Sequence, residues 1–194
     1  MRIALDIRRA GDFGIGTYLR KILAQLSRLD CENDYLLIGE QRHLDEIGAL
    51  SENFRLLKYP AEPGSLRTHL HLPLLLENHK IDLLHMPWFY APAMVPCRLI
   101  ITVHDLTEIA APRVGASPAV QIARLWFARR ALDRADRILA VSESARHELE
   151  RGFRVLVDFP HVGGPKVARS QCHLAPVSAS ETGGWSEANV PALR

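Results

Sequence analysis

Three stretches of the chain, "DLLHM" (82–86), "LIITV" (99–103) and "RILAV" (137–141), are apolar on consecutive residues and not on alternate ones. Strands take that pattern when helices cover both faces of a parallel sheet, because neither face then meets water. The same reading predicts strands from Ile3 to Ile7, Tyr35 to Ile38, Phe54 to Lys58, Asp82 to Met86, Leu99 to Val103 and Arg137 to Val141. Helical spacing lies between them. Leu19, Ile22, Leu23, Leu26 and Leu29 mark one buried face, with Arg20, Lys21, Gln25 and Arg28 turned to water. A second helix is expected from about Ser117 to Asp133, over a core stripe of Val120, Ala123, Phe127 and Ala131, and a third starts at Ser142. Strands alternating with helices imply an α/β fold: a Rossmann-like, open, mostly parallel sheet with helices on both faces.

The pattern stops near residue 160. From Pro160 to Arg194 about half the residues are Gly, Pro, Ser or Ala and no period is visible, so this stretch lacks the apolar surface to order itself. The expected organisation is one domain over 1–159 and an irregular, disordered tail over 160–194.

Composition narrows the function classes. A formal net charge of +2 on 194 residues demands no polyanionic partner, so nucleic-acid binding is not expected. Three dispersed cysteines without a CxxC pair argue against a disulfide framework and a structural zinc site, and fit a reducing cytoplasm. The start of the chain lacks the apolar run of a secretion signal, and no window approaches the ~18 apolar residues of a membrane span. His69 and His71 in "HLHLP" have no third ligand near in sequence, so metal binding is not expected and the histidines read as mostly solvated.

Candidate chemistry gathers where predicted strands end. "GDFGIGTYLRKIL" puts Gly11, Gly14 and Gly16 between the first strand and the first helix, in neither the G-x-G-x-x-G nor the Walker pattern. Such a turn lets a diphosphate approach the backbone at a helix start, or it serves only to make the chain reverse tightly. His104 and Asp105 follow directly on the fifth strand, placed either for polar contact with a ligand or as a local turn. Trp88, Phe89 and Tyr90 follow the fourth strand in a proline-flanked loop; they line a cleft or plug the core. Ser142 reads as a helix N-cap with Glu143 in the first turn, with no catalytic part. Arg124, Arg129, Arg130 and Arg134 around Trp126 and Phe127 could rest on an anionic membrane surface or form a solvated face.

In "LDIRRAGDFGIGTYLRKIL", "IDLLHMPWFYAPAMVPCRLIITVHDL" and "ADRILAVSESARHEL" the chain resembles the amino-terminal domain of retaining family 4 glycosyltransferases of GT-B architecture. The resemblance implies a transferase that moves a sugar from a nucleotide-sugar donor to an acceptor with retention, needing no metal or other cofactor. It casts Gly14 and Gly16 against the donor phosphates and His104 as the catalytic histidine near the donor sugar. Trp88, Tyr90 and Asp105 fall on the acceptor and cleft side. A lipid-linked or polysaccharide acceptor is implied, with a cytoplasmic location and contact at the inner membrane face.

The sequence departs from the family after Arg151. The expected carboxy-terminal donor domain, with its basic residues and paired glutamates, has no counterpart in "FRVLVDFPHVGGPKVARSQCHLAPVSASETGGWSEANVPALR". The expectation is therefore a truncated or frameshifted amino-terminal half, inactive alone. Two other readings compete: a non-catalytic binding module that pairs with a separate donor domain, and a nicotinamide-dependent oxidoreductase. The latter would have to use Glu40 as its ribose clamp, without the matching glycine spacing.

Overall fold

A computed structural model of the protein describes residues 1–106, 117–153 and 157. The expected boundary at residue 159 and the expected tail lie outside the described residues. Within them the chain runs β1 (Arg2–Asp6), α1 (Phe13–Leu29), β2 (Asp34–Gly39), α2 (Gln41–Ile47), β3 (Phe54–Lys58), α3 (Leu66–Asn78), β4 (Leu83–Met86), β5 (Arg98–Val103), α4 (Pro118–Arg134), β6 (Arg137–Ala140) and α5 (Glu143–Phe153).

All six strands are parallel, in the order β3-β2-β1-β4-β5-β6. The consecutive apolar residues of the central strands are buried on both sides, as in Ala4 and Leu5 of β1 and Leu36, Leu37 and Ile38 of β2. The fold is therefore α/β and Rossmann-like. From β1 the chain first winds outward to β3, then returns to β4 on the other side of β1. With right-handed crossovers, α1 and α2 share one face of the sheet while α3 and α4 lie on the other. Consistent with that, α1 packs beside α2, and His69 of α3 stacks on Phe127 of α4 with ring centroids 4.1 Å apart.

Capping explains where the helices begin. The Ser65 hydroxyl accepts from the Thr68 N–H at 3.2 Å, Ser117 caps α4 ahead of Pro118, and Ser142 accepts from the Ala145 N–H at 3.1 Å. Glu40 and His43 form a reciprocal capping box on α2. A buried ion pair fixes the end of β1. Arg8 binds the Asp6 carboxylate and reaches on to the Ala61 carbonyl and the Thr68 hydroxyl, tying β1 to the start of α3.

The structure corrects the helix faces in three places. In α1, Ile15, Leu19 and Leu23 are buried, but Leu29 at the last turn is exposed. In α4, Val120 and Ala123 are exposed and Phe127 is half-buried; Ala131 is buried as expected, and Ala128 and Leu132 are buried beside it. Length accounts for this shift: 17 helical residues span about 25 Å, whereas the four residues of β6 span only about 13 Å, so the first turns of α4 overhang the sheet. The histidines of α3 are half-buried and not fully solvated, with His69 stacked on Phe127 and His71 parallel to Tyr59. Among the described cysteines, Cys97 is a buried free thiol.

Candidate functional site

The winding reverses at β1 and β4, and this is where an open parallel sheet leaves a crevice at the carboxyl ends of its strands. A cavity of about 160 Å³ occupies that position. Its walls come from three loops: Arg9, Asp12, Gly14 and Ile15 after β1, Trp88 and Phe89 after β4, and His104 and Asp105 after β5. A wider depression of about 590 Å³ lies at the opposite edge, around Met1, Arg2, Asp34 and Asp82. It is open to solvent, and its polar groups are engaged with one another, as in the Arg2 N–H to Asp82 bond at 2.8 Å. The smaller, less open cavity at the carboxyl ends of the strands is the candidate site.

Four of the sequence-predicted residues, Gly14, Trp88, His104 and Asp105, meet in this cavity. Gly16 and Tyr90 are not on its walls. A Cβ on Gly16 would sit 2.0 Å from the Ala10 carbonyl oxygen, so this glycine lets α1 approach the loop that precedes it. Its N–H donates to the Asp12 carbonyl at 2.8 Å. Gly14, by contrast, has open space where its side chain would be. Tyr90 is half-buried, and its hydroxyl accepts from Arg124 of α4. Trp88 and Phe89 are buried, so the aromatic loop is a core plug whose inner side also lines the cavity.

The local chemistry is unusual in one respect. The indole Nε1 of Trp88 and the imidazole Nε2 of His104 are both buried without a hydrogen-bond partner among the described residues. A buried polar group left in that state costs about 1–3 kcal/mol; Nδ1 of His69 and of His71, away from the cavity, share it. Trp88 and His104 line the same cavity.

Beside His104 lies a small polar cluster missed by the sequence reading. The Tyr18 hydroxyl is 3.1 Å from the Thr102 hydroxyl, which is itself 2.8 Å from Nε2 of His85. The Tyr18 ring meets His104 edge-on at 5.1 Å. Burial raises the Tyr18 phenol and pushes His85 down to about 4, with His104 adding to the latter. Burial also lowers His104; Asp105 opposes this and Arg9 reinforces it. The imidazole facing the cavity is therefore neutral at neutral pH. The one available signal for Tyr18 was its place a helical turn after Gly14.

At the start of α1, Asp12 stands in the N-cap position but makes no side-chain cap hydrogen bond; its carboxylate binds Arg9 instead. The first-turn N–H groups, which no helix satisfies internally, are thus not covered by the cap side chain beside Gly14. Glu40, the residue an oxidoreductase would need for ribose, is occupied in capping α2 and pairing with Arg42.

No helix among the described residues is long and apolar enough to cross a membrane. Comparison with curated proteins finds no match. The family model described as Glycosyltransferase Family 4 matches residues 14–158. That span takes in α1, all of the sheet after β1 and the three loops of the cavity apart from Arg9 and Asp12, and the chain belongs to glycosyltransferase family 4.

Proposed function

We propose that this chain provides the acceptor-side half of a glycosyltransferase that moves a sugar from a nucleotide-sugar donor to an acceptor with retention and without a required metal. The observation that carries the reading is the pair of partnerless buried nitrogens on Trp88 and His104, two residues that line a cavity at the switch point of the sheet. Sugar hydroxyls are the natural complement: each can accept or donate, so each can satisfy an indole N–H and a neutral imidazole. His104 is the proposed catalytic residue beside the donor sugar, and Trp88 and Asp105 hold the ligand's polar groups. Gly14 lets donor phosphate approach the start of α1, with Gly16 shaping the turn that presents it. Tyr90 belongs to the acceptor side through its link to α4, and a lipid-linked or polysaccharide acceptor at the cytoplasmic membrane face suits that side.

Charge sets the limit of what this face does alone. A departing nucleotide diphosphate needs several cationic or N–H donors, usually the largest catalytic contribution. The cavity wall offers Arg9, already bonded to Asp12. A facing donor domain therefore supplies most of that stabilisation, and the 194-residue chain alone is expected to show negligible transfer. The same shortage of cations favours, as a second reading, a partner subunit that binds an acceptor and pairs with a separate donor-binding chain.

Ligand-observed NMR of the purified chain with a panel of uridine and guanosine diphosphate sugars tests the proposal. Saturation transfer to a nucleotide sugar that disappears in His104→Ala and Trp88→Phe is the expected result. Binding that is indifferent to both substitutions, or protection by nicotinamide dinucleotides alone, would overturn it.

A further inference from the structure

Arg9 and Asp12 close a tight turn between β1 and α1. The Asp12 N–H donates to the Arg9 carbonyl at 3.0 Å, and across the turn the Arg9 guanidinium binds the Asp12 carboxylate. Both residues line the cavity, and the guanidinium carbon of Arg9 lies 6.0 Å from the centre of the Trp88 ring. Among the described residues of the wall Arg9 is the cation, and its charge adds to the lowering that burial imposes on His104. The same wall carries two carboxylates, Asp12 and Asp105. An anion entering the cavity therefore meets a positive charge that is already engaged.

That engagement can be exchanged. The side chains of Arg9 and Asp12 keep 23% and 43% of their surface in water, and an ion pair so open holds only weakly. Asp12 also has a second place to go. It occupies the N-cap position of α1 with the extended backbone of a capping residue, φ −74° and ψ 144°, yet its side chain makes no cap hydrogen bond. Its carbonyl accepts from the Gly16 N–H at 2.8 Å, so its backbone is pinned to the helix. Rotation about side-chain bonds is all that separates the carboxylate from the first-turn N–H groups of α1.

We infer that Arg9 binds the anionic group of the cavity's ligand and that Asp12 is its built-in competitor: an arriving phosphate takes the guanidinium, and the released carboxylate turns to cap α1. A phosphate wins the exchange because it brings more charge and more acceptor oxygens to the guanidinium fork than a carboxylate does. Capping then keeps the displaced carboxylate from being left without a partner. A neutral ligand leaves the pair closed, so the turn responds to charge and not to occupancy. The inference rests on the reading of the cavity as a nucleotide-sugar site.

NMR titration of the full chain with inorganic pyrophosphate and with uridine diphosphate, at low ionic strength, tests it. Asp12→Asn keeps the capping ability but gives up the charge, and should tighten both ligands about threefold. Arg9→Gln should weaken both about tenfold. The double variant Arg9→Gln/Asp12→Asn should bind like Arg9→Gln alone, because Asp12 acts through Arg9. Unchanged affinity in Asp12→Asn would overturn the inference. So would equal tightening with and without Arg9, since Asp12 would then be a plain repulsive charge. Nucleotide-sugar binding that needs His104 and Trp88 while Asp12→Asn changes nothing overturns this inference and leaves the proposed function standing. Pyrophosphate binding that follows the Arg9 and Asp12 pattern without any nucleotide-sugar binding overturns the proposed function and leaves the exchange standing. Failure of parent and Asp12→Asn alike to bind either anion overturns both.

Discussion

Tyr18 presents its ring to His104 edge-on, with centroids 5.1 Å apart and planes at 84°. The contact joins α1, which carries the glycine turn, to the loop after β5. Because the Tyr18 hydroxyl is bound to Thr102, the phenol ring stands in one place and the imidazole leans on a fixed wall. Removing that wall in Tyr18→Ala admits water beside His104, so its lowered pKa should move up toward the ordinary histidine range. Tyr18→Phe keeps the wall and should leave the value nearly unchanged. Imidazole NMR titration of the two variants checks this; equal values in both would show that Tyr18 has no hold on His104.

The His85 side chain gives a second prediction, on stability. Its folded pKa of about 4 lies below the ordinary 6.5, so the unfolded chain binds the proton more readily. Stability from this group is therefore complete above about pH 6.5 and is lost as pH falls toward 4. A shift of that size corresponds to roughly 3 kcal/mol over the window. His43, His69, His79 and His104 are shifted in the same direction, so the comparison must isolate His85. Urea denaturation of His85→Gln between pH 7 and pH 4 should show a clearly shallower loss than the parent protein. Parallel curves would refute the assignment.

The two glycines of α1 should respond in opposite ways to the same substitution. Gly14 lies in a helix with free space around its Cα, so Gly14→Ala should stabilise the fold by about 0.5–1 kcal/mol. The added methyl group also narrows the cavity mouth, and nucleotide-sugar binding should weaken. Gly16→Ala drives a Cβ onto the Ala10 carbonyl oxygen and should cost about 1–3 kcal/mol or more. Thermal melts of the two variants decide the matter: a gain in Gly16→Ala, or a loss in Gly14→Ala, would contradict the placement of these residues.

What the sequence displayed clearly was the sheet. "DLLHM", "LIITV" and "RILAV" lie within one residue of β4, β5 and β6, because a strand buried on both faces must be apolar throughout. The convergence of Gly14, Trp88, His104 and Asp105 followed from the same pattern, since a parallel sheet brings all its carboxyl-end loops to one edge. Two helices were hidden for physical reasons. Helix α2 has only seven residues, too few for a period to emerge, and α3 contains Pro73 and holds its histidines against aromatic rings. The face of α4 was misread because a periodic stripe shows which residues share a side, not whether anything covers that side. Arg9, Asp12 and Tyr18 carried no motif of their own; only the folded loop brings the first two to the cavity wall.

The Asp6–Arg8 pair supplies the last prediction, because its worth depends on which partner is removed. Both side chains are almost wholly buried, and Arg8 is saturated by Asp6, the Ala61 carbonyl and the Thr68 hydroxyl at 3.0 Å, with the Tyr59 ring 5.1 Å from its guanidinium carbon. Arg8→Met fills the volume but strands the Asp6 carboxylate in the core beside β1. The expected loss is about 3–5 kcal/mol, with the segment between β3 and α3 cut loose from the sheet. Adding Asp6→Leu removes the stranded charge and should restore much of that stability, since a well-packed apolar pair often matches a buried ion pair. Urea titration of the parent, the two single variants and the double variant closes the cycle. If the double variant is no better than Arg8→Met, the stability of this corner comes from Arg8's bonds to Ala61 and Thr68 and not from neutralising Asp6.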